Sequence, residues 1–156
     1  MTFNKGDVLP PQFRLDSQLG VGGFSEVWRA TDLQARDEVA IKIFLKQDQD
    51  GVDLCREEYR RMNYLRHPNI LQPRYFGHFE GAPFIVMPFC ELGSTMSRLG
   101  HYNEKQLASL IAQVGSALGH IHTMAQPIIH NDIKPDNILE ERAGHFVLAD
   151  FGISER

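Results

Sequence analysis

Short apolar runs separated by turn-forming residues fill the first half of the chain, from residue 13 to about residue 89. The runs are rich in β-branched and aromatic residues, which favour strands. They predict strands at 25–30, 38–45, 71–79 and 83–89, the last two joined by a turn at Glu80-Gly81. Because short polar connections join neighbouring runs, we expect a small antiparallel sheet.

One segment in this half has helical rather than strand periodicity. Between residues 53 and 66, one stripe of side chains recurs at spacings of four, four and three: Leu54, Glu58, Met62 and Leu65. Residues at these spacings share one face of a helix. We expect the helix to end before Pro68, because the residue that precedes a proline is disfavoured in the helical conformation.

Two charged residues interrupt these apolar patterns. Lys42 lies inside the strand-like run 38–45, and Glu58 lies in the middle of the helical stripe. Charged side chains are rarely buried unless they pair, so one interpretation is an ion pair between the two. In the alternative, both side chains extend from the edge of the core to solvent, and composition alone leaves the two interpretations equally open.

The second half has the pattern of one long helix followed by short strands. Apolar residues line one helix face: Leu107, Leu110, Ile111, Val114, Leu118 and Ile121. Asn103 is the expected N-cap, and Gln106 three positions later completes a capping box. Two short strands are expected at 137–139 and 146–150, joined by a turn that contains Gly144.

Composition narrows the class of protein. The 156 residues are 42% hydrophobic, which is typical of one folded domain or two small lobes. The formal net charge is −4 without a dense basic cluster, so we expect no nucleic-acid partner. No apolar run approaches the roughly 18 residues of a membrane span, and the first 13 residues lack the pattern of a secretory signal. The spacing of Cys55 and Cys90 fits neither a disulfide framework nor a Cys-based zinc site. Both thiols are therefore expected to be reduced, as in a cytoplasmic protein.

A glycine-rich stretch, 20–25, lies between two strand-like segments. Glycine lets backbone amides approach phosphate oxygens that a Cβ would hold away. A dinucleotide fold would need a helix directly after the glycines, whereas residues 26–29 continue as a strand, and the Gly-Lys-Ser/Thr of a Walker loop is absent. Taken alone, the stretch favours a simple hairpin turn.

A second polar cluster spans 130–137 and is followed by Asp150. If the two short strands pair antiparallel, Asn137 and Asp150 emerge at the same end of the hairpin. Amide and carboxylate oxygens suit Mg²⁺. Asp132, five residues before Asn137, is placed to accept a hydroxyl proton. In the alternative, these side chains cap loops at strand ends.

Taken in order, these motifs resemble those of a eukaryotic-type (Hanks-type) serine/threonine protein kinase. The matching segments are Gly-x-Gly-x-x-Ser-x-Val at 20–27, Val39-Ala40-Ile41-Lys42, Glu58 ahead of His67-Pro68-Asn69-Ile70, the 130–137 loop, and Asp150-Phe151-Gly152. The resemblance implies an α+β fold with two lobes. A five-stranded antiparallel N-lobe sheet with one helix would occupy 1–90, and a partial, mainly helical C-lobe would occupy 91–156.

The resemblance also implies catalytic roles. Lys42, held by Glu58, would contact the α- and β-phosphates of ATP. Asp132 would orient the attacking hydroxyl and accept its proton, and Lys134 would neutralise charge near the γ-phosphate.

The remaining implied roles concern the metal and the nucleotide. Asn137 and Asp150 would hold Mg²⁺, or Mn²⁺ in its place. Met87 would be the gatekeeper at the start of a hinge that runs to Gly93. The residues expected around ATP are Leu19, Gly20, Gly22, Gly23, Phe24, Ser25, Val27, Ala40, Lys42, Met87, Phe89, Cys90, Asn137 and Leu139.

Three departures from the family pattern stand out. Ser25 replaces the third loop glycine, and Asn131 replaces the arginine that usually precedes the catalytic aspartate. Without that arginine, activation through a phosphorylated activation segment is not expected. The sequence stops at Arg156, directly after the metal-binding motif, so we expect the apolar face of helix 104–124 to need cover from a partner or from further C-lobe.

The expected function is ATP- and Mg²⁺-dependent phosphate transfer to Ser and Thr hydroxyls of proteins. Lys134-Pro135 favours this class over the related small-molecule kinases that phosphorylate antibiotics. The alternative is an ATP-binding regulatory module, or an inactive fragment, that lacks the activation segment and substrate platform.

Overall fold

The computed structural model of the protein describes residues 2–46 and 48–150. The chain divides into two compact units. The first consists of Met1–Arg60 and Gln72–Phe89, and the second of Arg61–Leu71 and Cys90–Arg156. The second unit thus includes Cys90 and one segment, Arg61–Leu71, that the expected division at 90/91 assigns to the first half.

Backbone hydrogen bonds explain why this segment joins the second unit. The Leu71 N–H donates to the Leu148 carbonyl at 2.9 Å, and the Leu148 N–H donates to the Asn69 carbonyl at 2.8 Å. The Asn69 side chain adds a third bond, to the Phe146 carbonyl at 2.9 Å. A pairing of residues about 80 positions apart leaves no periodic signal in the sequence, so a continuous boundary was the natural expectation.

The first unit is built on one sheet with strand order β1-β2-β3-β4-β6-β5, in which all neighbours are antiparallel. Its strands are β1 Val8–Leu9, β2 Phe13–Val21, β3 Ser25–Asp32, β4 Asp37–Phe44, β5 Tyr75–Phe79 and β6 Ala82–Pro88. Six strands replace the five that were expected. The additional strand, β1, has only two residues, too few for an alternating pattern, yet Leu9 is fully buried opposite Phe13.

The helix of this half, α1, runs Gln49–Tyr64 and begins four residues earlier than expected. The Asp48 carboxylate accepts the Gly51 N–H at 3.0 Å, as a helix N-cap does. The buried face also differs by one position. Leu54 is 53% exposed, whereas Cys55 is fully buried in line with Glu58 and Met62. The small Cys55 side chain therefore occupies the core position that the sequence pattern assigned to Leu54.

Strand alternation gives the sheet two distinct faces. One face holds the core of the first unit, which consists chiefly of Phe3, Leu9, Phe13, Leu15, Trp28, Ala30, Val39, Ile41, Ile43, Phe84 and Val86. The residues between them along each strand, such as Val27 and Lys42, consequently point to the opposite face, where the candidate nucleotide-binding residues lie.

The second unit contains helix α2, Glu104–His122, and a two-stranded hairpin of β7, Ile138–Arg142, and β8, His145–Leu148. The predicted capping box at Asn103 is present, since its side chain accepts the Gln106 N–H at 2.9 Å. Two short 3₁₀ turns, Thr95–Arg98 and Pro135–Asn137, complete the unit. Among the described residues, neither helix is both long enough and apolar enough to cross a bilayer.

Candidate active site

The glycine-rich stretch forms the tight connection between β2 and β3. Its ends are closed by the Gly22 N–H, which donates to the Ser25 carbonyl at 2.7 Å. A Cβ added at Gly20 or Gly23 would meet nothing within 4 Å, so the backbone borders open space there. Phe24, at the tip, is 74% exposed. The backbone around Gly20 and Gly23 therefore leaves room for an oxyanion, as a phosphate-binding loop requires.

Cross-strand register brings several of the predicted nucleotide-binding residues onto one face of the sheet. Val27 lies opposite Lys42, and Lys42 in turn lies opposite Ile85. Two residues along, Ala40 lies opposite Met87. Directly paired residues point to the same side of a sheet. On this face, Lys42 is flanked by the apolar Val27 and Ile85, and Arg29 lies opposite Ala40.

Other predicted nucleotide-binding residues lie at the edges of this face or in the second unit. Leu19 is half exposed on β2, next to an irregularity in the β2–β3 register. Phe89 lies beneath the Arg29 guanidinium, which is 5.0 Å from the ring centroid. Cys90 is buried, and that burial raises the pKa of its thiol to about 12. Leu139 is the second residue of β7.

Lys42 and Glu58 form an ion pair inside the first unit. The Lys42 Nζ lies 2.8 Å from Glu58 Oε1 and 3.0 Å from Oε2. The side chains are 16% and 6% exposed, respectively, so the solvent-reaching alternative does not apply. The Phe44 ring approaches the same ammonium, with its centroid 5.2 Å away. The Glu58 carboxylate, on helix α1, therefore holds the Lys42 ammonium at a defined position on the sheet.

In the second unit, Asp132 is held by two neighbours in its own loop. The Asn137 Nδ2 donates to the Asp132 carbonyl at 2.9 Å and to its Oδ2 at 2.8 Å. The Lys134 Nζ lies 3.2 Å from the same Oδ2. The hydrogen bond from Lys134 is the main reason why the pKa of Asp132 lies below its usual range. The carboxylate is consequently ionised at neutral pH and can accept a hydrogen bond from a hydroxyl.

His130 ties this loop to the end of β8. Its ring is buried, with the Nε2 2.8 Å from the Ala149 carbonyl. Its Nδ1 accepts the Asp132 N–H at 3.2 Å. Since the carbonyl can only accept and the amide can only donate, these two contacts require the neutral tautomer protonated at Nε2. The sequence showed His130 at the start of the loop but not this bridging role.

The β7–β8 ladder brings the predicted metal ligands to the same end of the hairpin. The Ala149 N–H donates to the Asn137 carbonyl at 2.9 Å, one residue beyond the last strand pair. Asp150 follows directly, exposed and with a φ of 59°, in the left-handed region. Phe151 and Gly152, the other members of the predicted motif, lie outside the described residues.

The donor chemistry at this end of the hairpin fits Mg²⁺. The Asn137 amide nitrogen is committed to Asp132, which leaves the amide oxygen as its ligand atom. Asp150 adds a carboxylate. Within residues 2–46 and 48–150, no group of three or more His, Cys, Asp or Glu side chains could hold a metal ion. A pair of oxygen ligands suits Mg²⁺, which commonly takes one or two protein ligands.

Asn131, which stands where the family has arginine, adopts a φ of 64°. Asparagine tolerates the left-handed region better than most side chains. Asn131 is therefore a low-strain residue for this backbone conformation.

Sequence reasoning missed a set of contacts around β7. The Glu140 carboxylate is 3% exposed and forms an ion pair with Arg98. Glu140 also accepts the Tyr102 hydroxyl at 3.3 Å and the Gly144 N–H at 2.9 Å. A signal was available, because Glu140 lies two residues after the buried Ile138 and hence on the same strand face.

The chain is similar in sequence to several known proteins. The protein kinase domain family matches residues 13–156. An Aurora kinase from Dictyostelium discoideum is 33% identical over 150 residues, covering 91% of this chain and 38% of that protein. CBL-interacting protein kinase 22 from Oryza sativa subsp. japonica is 31% identical over 169 aligned residues, covering 94% and 37%. Human ribosomal protein S6 kinase alpha-3 is 31% identical over 154 residues, covering 94% and 20%. The chain thus spans less than half the length of each.

Proposed function

Because this chain belongs to the protein kinase domain family, we propose that the protein transfers the γ-phosphate of ATP to Ser and Thr hydroxyls of protein substrates. The observation that carries the proposal is the loop in which Asp132 is held between Lys134 and Asn137. This loop puts an ionised carboxylate next to a cation and an amide. The names of two similar proteins, a protein kinase and a ribosomal protein kinase, support a protein as the substrate.

The groups of the first unit bind the nucleotide. The amides of the connection between β2 and β3 donate to phosphate oxygens, because the glycines there leave room for a close approach. Lys42 directs its charge to the α- and β-phosphates, and Glu58 keeps the ammonium in place. Val27, Ala40 and Met87 provide the apolar surface for the adenine.

The groups of the second unit act on the transferred phosphate and the acceptor hydroxyl. Asp132 accepts the hydroxyl hydrogen bond and orients the attacking oxygen. The pKa of its carboxyl lies below the usual range, mainly because of Lys134, so orientation contributes more than strong basicity. Lys134 offsets the negative charge that gathers around the γ-phosphate.

Asn137 and Asp150 would hold Mg²⁺, which would neutralise charge on the β- and γ-phosphate oxygens. Independently of the metal, the bonds from Asn137 to Asp132 keep the carboxylate in a single orientation. His130 maintains the attachment of this loop to Ala149, directly before Asp150. The chain's own side chains therefore connect both predicted metal ligands to Asp132.

The acceptor class is proposed as Ser and Thr rather than Tyr. The support is the Lys134-Pro135 pair that follows Asp132, which resembles the serine/threonine class of the family.

Phosphate transfer from labelled ATP to a library of Ser-, Thr- and Tyr-containing peptides tests the proposal. We expect label on Ser and Thr, a loss of about 10²- to 10⁴-fold in kcat for Asp132→Asn, and no detectable transfer for Asp150→Ala. Glu141→Gln is the matched control, since Glu141 lies in the same hairpin but faces His145 in a partly exposed contact. Full activity in Asp150→Ala would refute the proposed metal site. An ATP-dependent rise in Tm without any transfer would instead support a regulatory ATP-binding module.

A further inference from the structure

The 3₁₀ turn Thr95–Arg98 is attached to the catalytic segment at two points. The Thr95 hydroxyl donates to the Pro135 carbonyl at 2.9 Å. Three residues later, Arg98 pairs with the Glu140 carboxylate. Pro135 lies two residues before Asn137, and Glu140 lies three residues after it. The two contacts therefore flank Asn137 along the chain.

Burial limits the access of water to both contacts. Thr95 is 2% exposed and Glu140 is 3% exposed, so water does not readily replace either partner. Every buried side-chain nitrogen or oxygen in the described part of the chain has a hydrogen-bond partner. A buried hydroxyl that lost the Pro135 carbonyl would thus lose a bond that solvent cannot easily restore.

The Pro135 carbonyl belongs to the turn that positions Asn137. It also accepts the Ile138 N–H, which ends the 3₁₀ turn Pro135–Asn137. Within that turn, the Asn137 N–H donates to the Lys134 carbonyl at 2.9 Å. The backbone of Asn137 is consequently held by a turn that Thr95 anchors from outside.

The segment before Thr95 strengthens the attachment. The Glu140 N–H donates to the Gly93 carbonyl at 2.9 Å, and Ser94 forms an isolated antiparallel bridge with Leu139. The backbone of residues 93–94 therefore pairs with residues 139–140 of β7, and the side chains of Thr95 and Arg98 reach Pro135 and Glu140.

We propose that Thr95 and the Arg98–Glu140 pair act as positioning residues, a clamp that fixes Asn137 and, through its side chain, Asp132. The Asn137 amide donates twice to Asp132, so a shift of the turn also moves the carboxylate. Small displacements of catalytic groups are costly for rate, which gives the clamp its consequence for catalysis. That consequence rests on the proposed kinase function, whereas the clamp itself is a property of the fold.

Thr95→Val tests the clamp with almost no change of shape, since it replaces only the hydroxyl. Thr95→Ser keeps the hydroxyl and should rescue the loss. Ser97→Ala is the matched control, because the Ser97 hydroxyl in the same turn donates to the Ser94 carbonyl and does not reach the catalytic segment. The first measurement is amide hydrogen exchange of Asn137 and Ile138 in the full chain without nucleotide.

We expect Thr95→Val to raise these two exchange rates by about tenfold, the scale of one lost hydrogen bond. Thr95→Ser and Ser97→Ala should stay close to the parent chain. In phosphate transfer, Thr95→Val should lower kcat about tenfold or more with little change in the KM for ATP, because none of the three clamp residues is among those proposed to bind the nucleotide. A purely structural role would lower stability without this separation of kcat from KM.

Unchanged exchange in Thr95→Val, or equal exchange in Thr95→Val and Ser97→Ala, would overturn the clamp. If Thr95→Val proved too unstable to measure, Arg98→Lys would serve as the second variant. It keeps a cation near Glu140 but loses the geometry of the guanidinium, so the same two amides should again exchange faster. If the parent chain transferred no phosphate, the proposed function would fail, while the exchange measurements would still decide the clamp.

Discussion

The Lys42–Glu58 pair should determine the stability of the first unit, and Glu58→Gln is the variant that tests it. The substitution keeps the size of the side chain and one oxygen acceptor but removes the negative charge. Lys42 would then remain as an ammonium that is only 16% exposed. The cost should arise from the lost charge–charge attraction rather than from a cavity.

The magnitude follows from the geometry. At the observed separations of 2.8 and 3.0 Å, unit charges attract by about 6 kcal/mol at an effective dielectric constant of about 20. Desolvation of both groups offsets a large part of this attraction. Removing one partner of a buried pair typically costs about 3 to 5 kcal/mol. Because glutamine retains an acceptor, we expect a loss of about 3 kcal/mol in the free energy of unfolding, or about 6 to 12 °C in Tm.

Urea unfolding followed by Trp28 fluorescence is the suitable assay, since Trp28 is the single tryptophan of the chain and lies in the core of the first unit. Asp53→Asn is the control on the same helix, because Asp53 pairs with Arg56 at an exposed position. That variant should lose less than about 1 kcal/mol. The double variant Lys42→Met/Glu58→Leu should recover most of the stability. Equal stabilities for Glu58→Gln and Asp53→Asn would refute the reasoning.

Three further outcomes are expected. Burial raises the pKa of Cys90 to about 12. Alkylation of this thiol by iodoacetamide at neutral pH should therefore be about a thousandfold slower in the folded than in the unfolded chain. Comparable rates in the two states would contradict the buried position of Cys90. Burial also lowers the pKa of His67 in the folded chain. Its neutral ring therefore contributes stability above about pH 6.5, and this contribution is lost as the pH falls through the lowered pKa of the folded state. The urea midpoint of His67→Gln should consequently drop less than that of the parent chain between about pH 7.5 and about pH 5. Finally, a ring-fluorinated phenylalanine at Phe44 should weaken ATP binding about two- to fivefold if the ring supports the Lys42 ammonium electrostatically, whereas equal affinities across a fluorination series would assign Phe44 to packing alone.

The local elements were largely predictable because their signals are short in range. The capping box at Asn103 depends on residues three positions apart, and the β7–β8 turn depends on Gly144, whose φ is 77°. The end of the hairpin at which Asn137 and Asp150 emerge follows from the antiparallel pairing of two adjacent strands. For these features, residues close in sequence carry the whole physical cause.

Where the sequence reasoning was wrong, the cause lies in contacts between distant residues. The two-residue strand β1 exists because Leu9 finds a buried place beside Phe13, and a pattern of two residues predicts nothing. The segment Arg61–Leu71 belongs to the second unit because the backbones of Asn69 and Leu71 pair with Leu148. Neither pairing can be derived from local propensity.

By itself, the sequence determined which side chains are candidates to hold phosphates, bind a divalent cation or accept a proton, and in what order they occur. Motif spacing suffices for this, because each residue type brings its own charge and donor atoms. Only the tertiary structure decided which charges meet. The burial that makes Lys42 and Glu58 a pair, and that joins Arg98 to Glu140, depends on the packing of segments far apart in the chain, since a buried charge is tolerated only where a partner from another element reaches it.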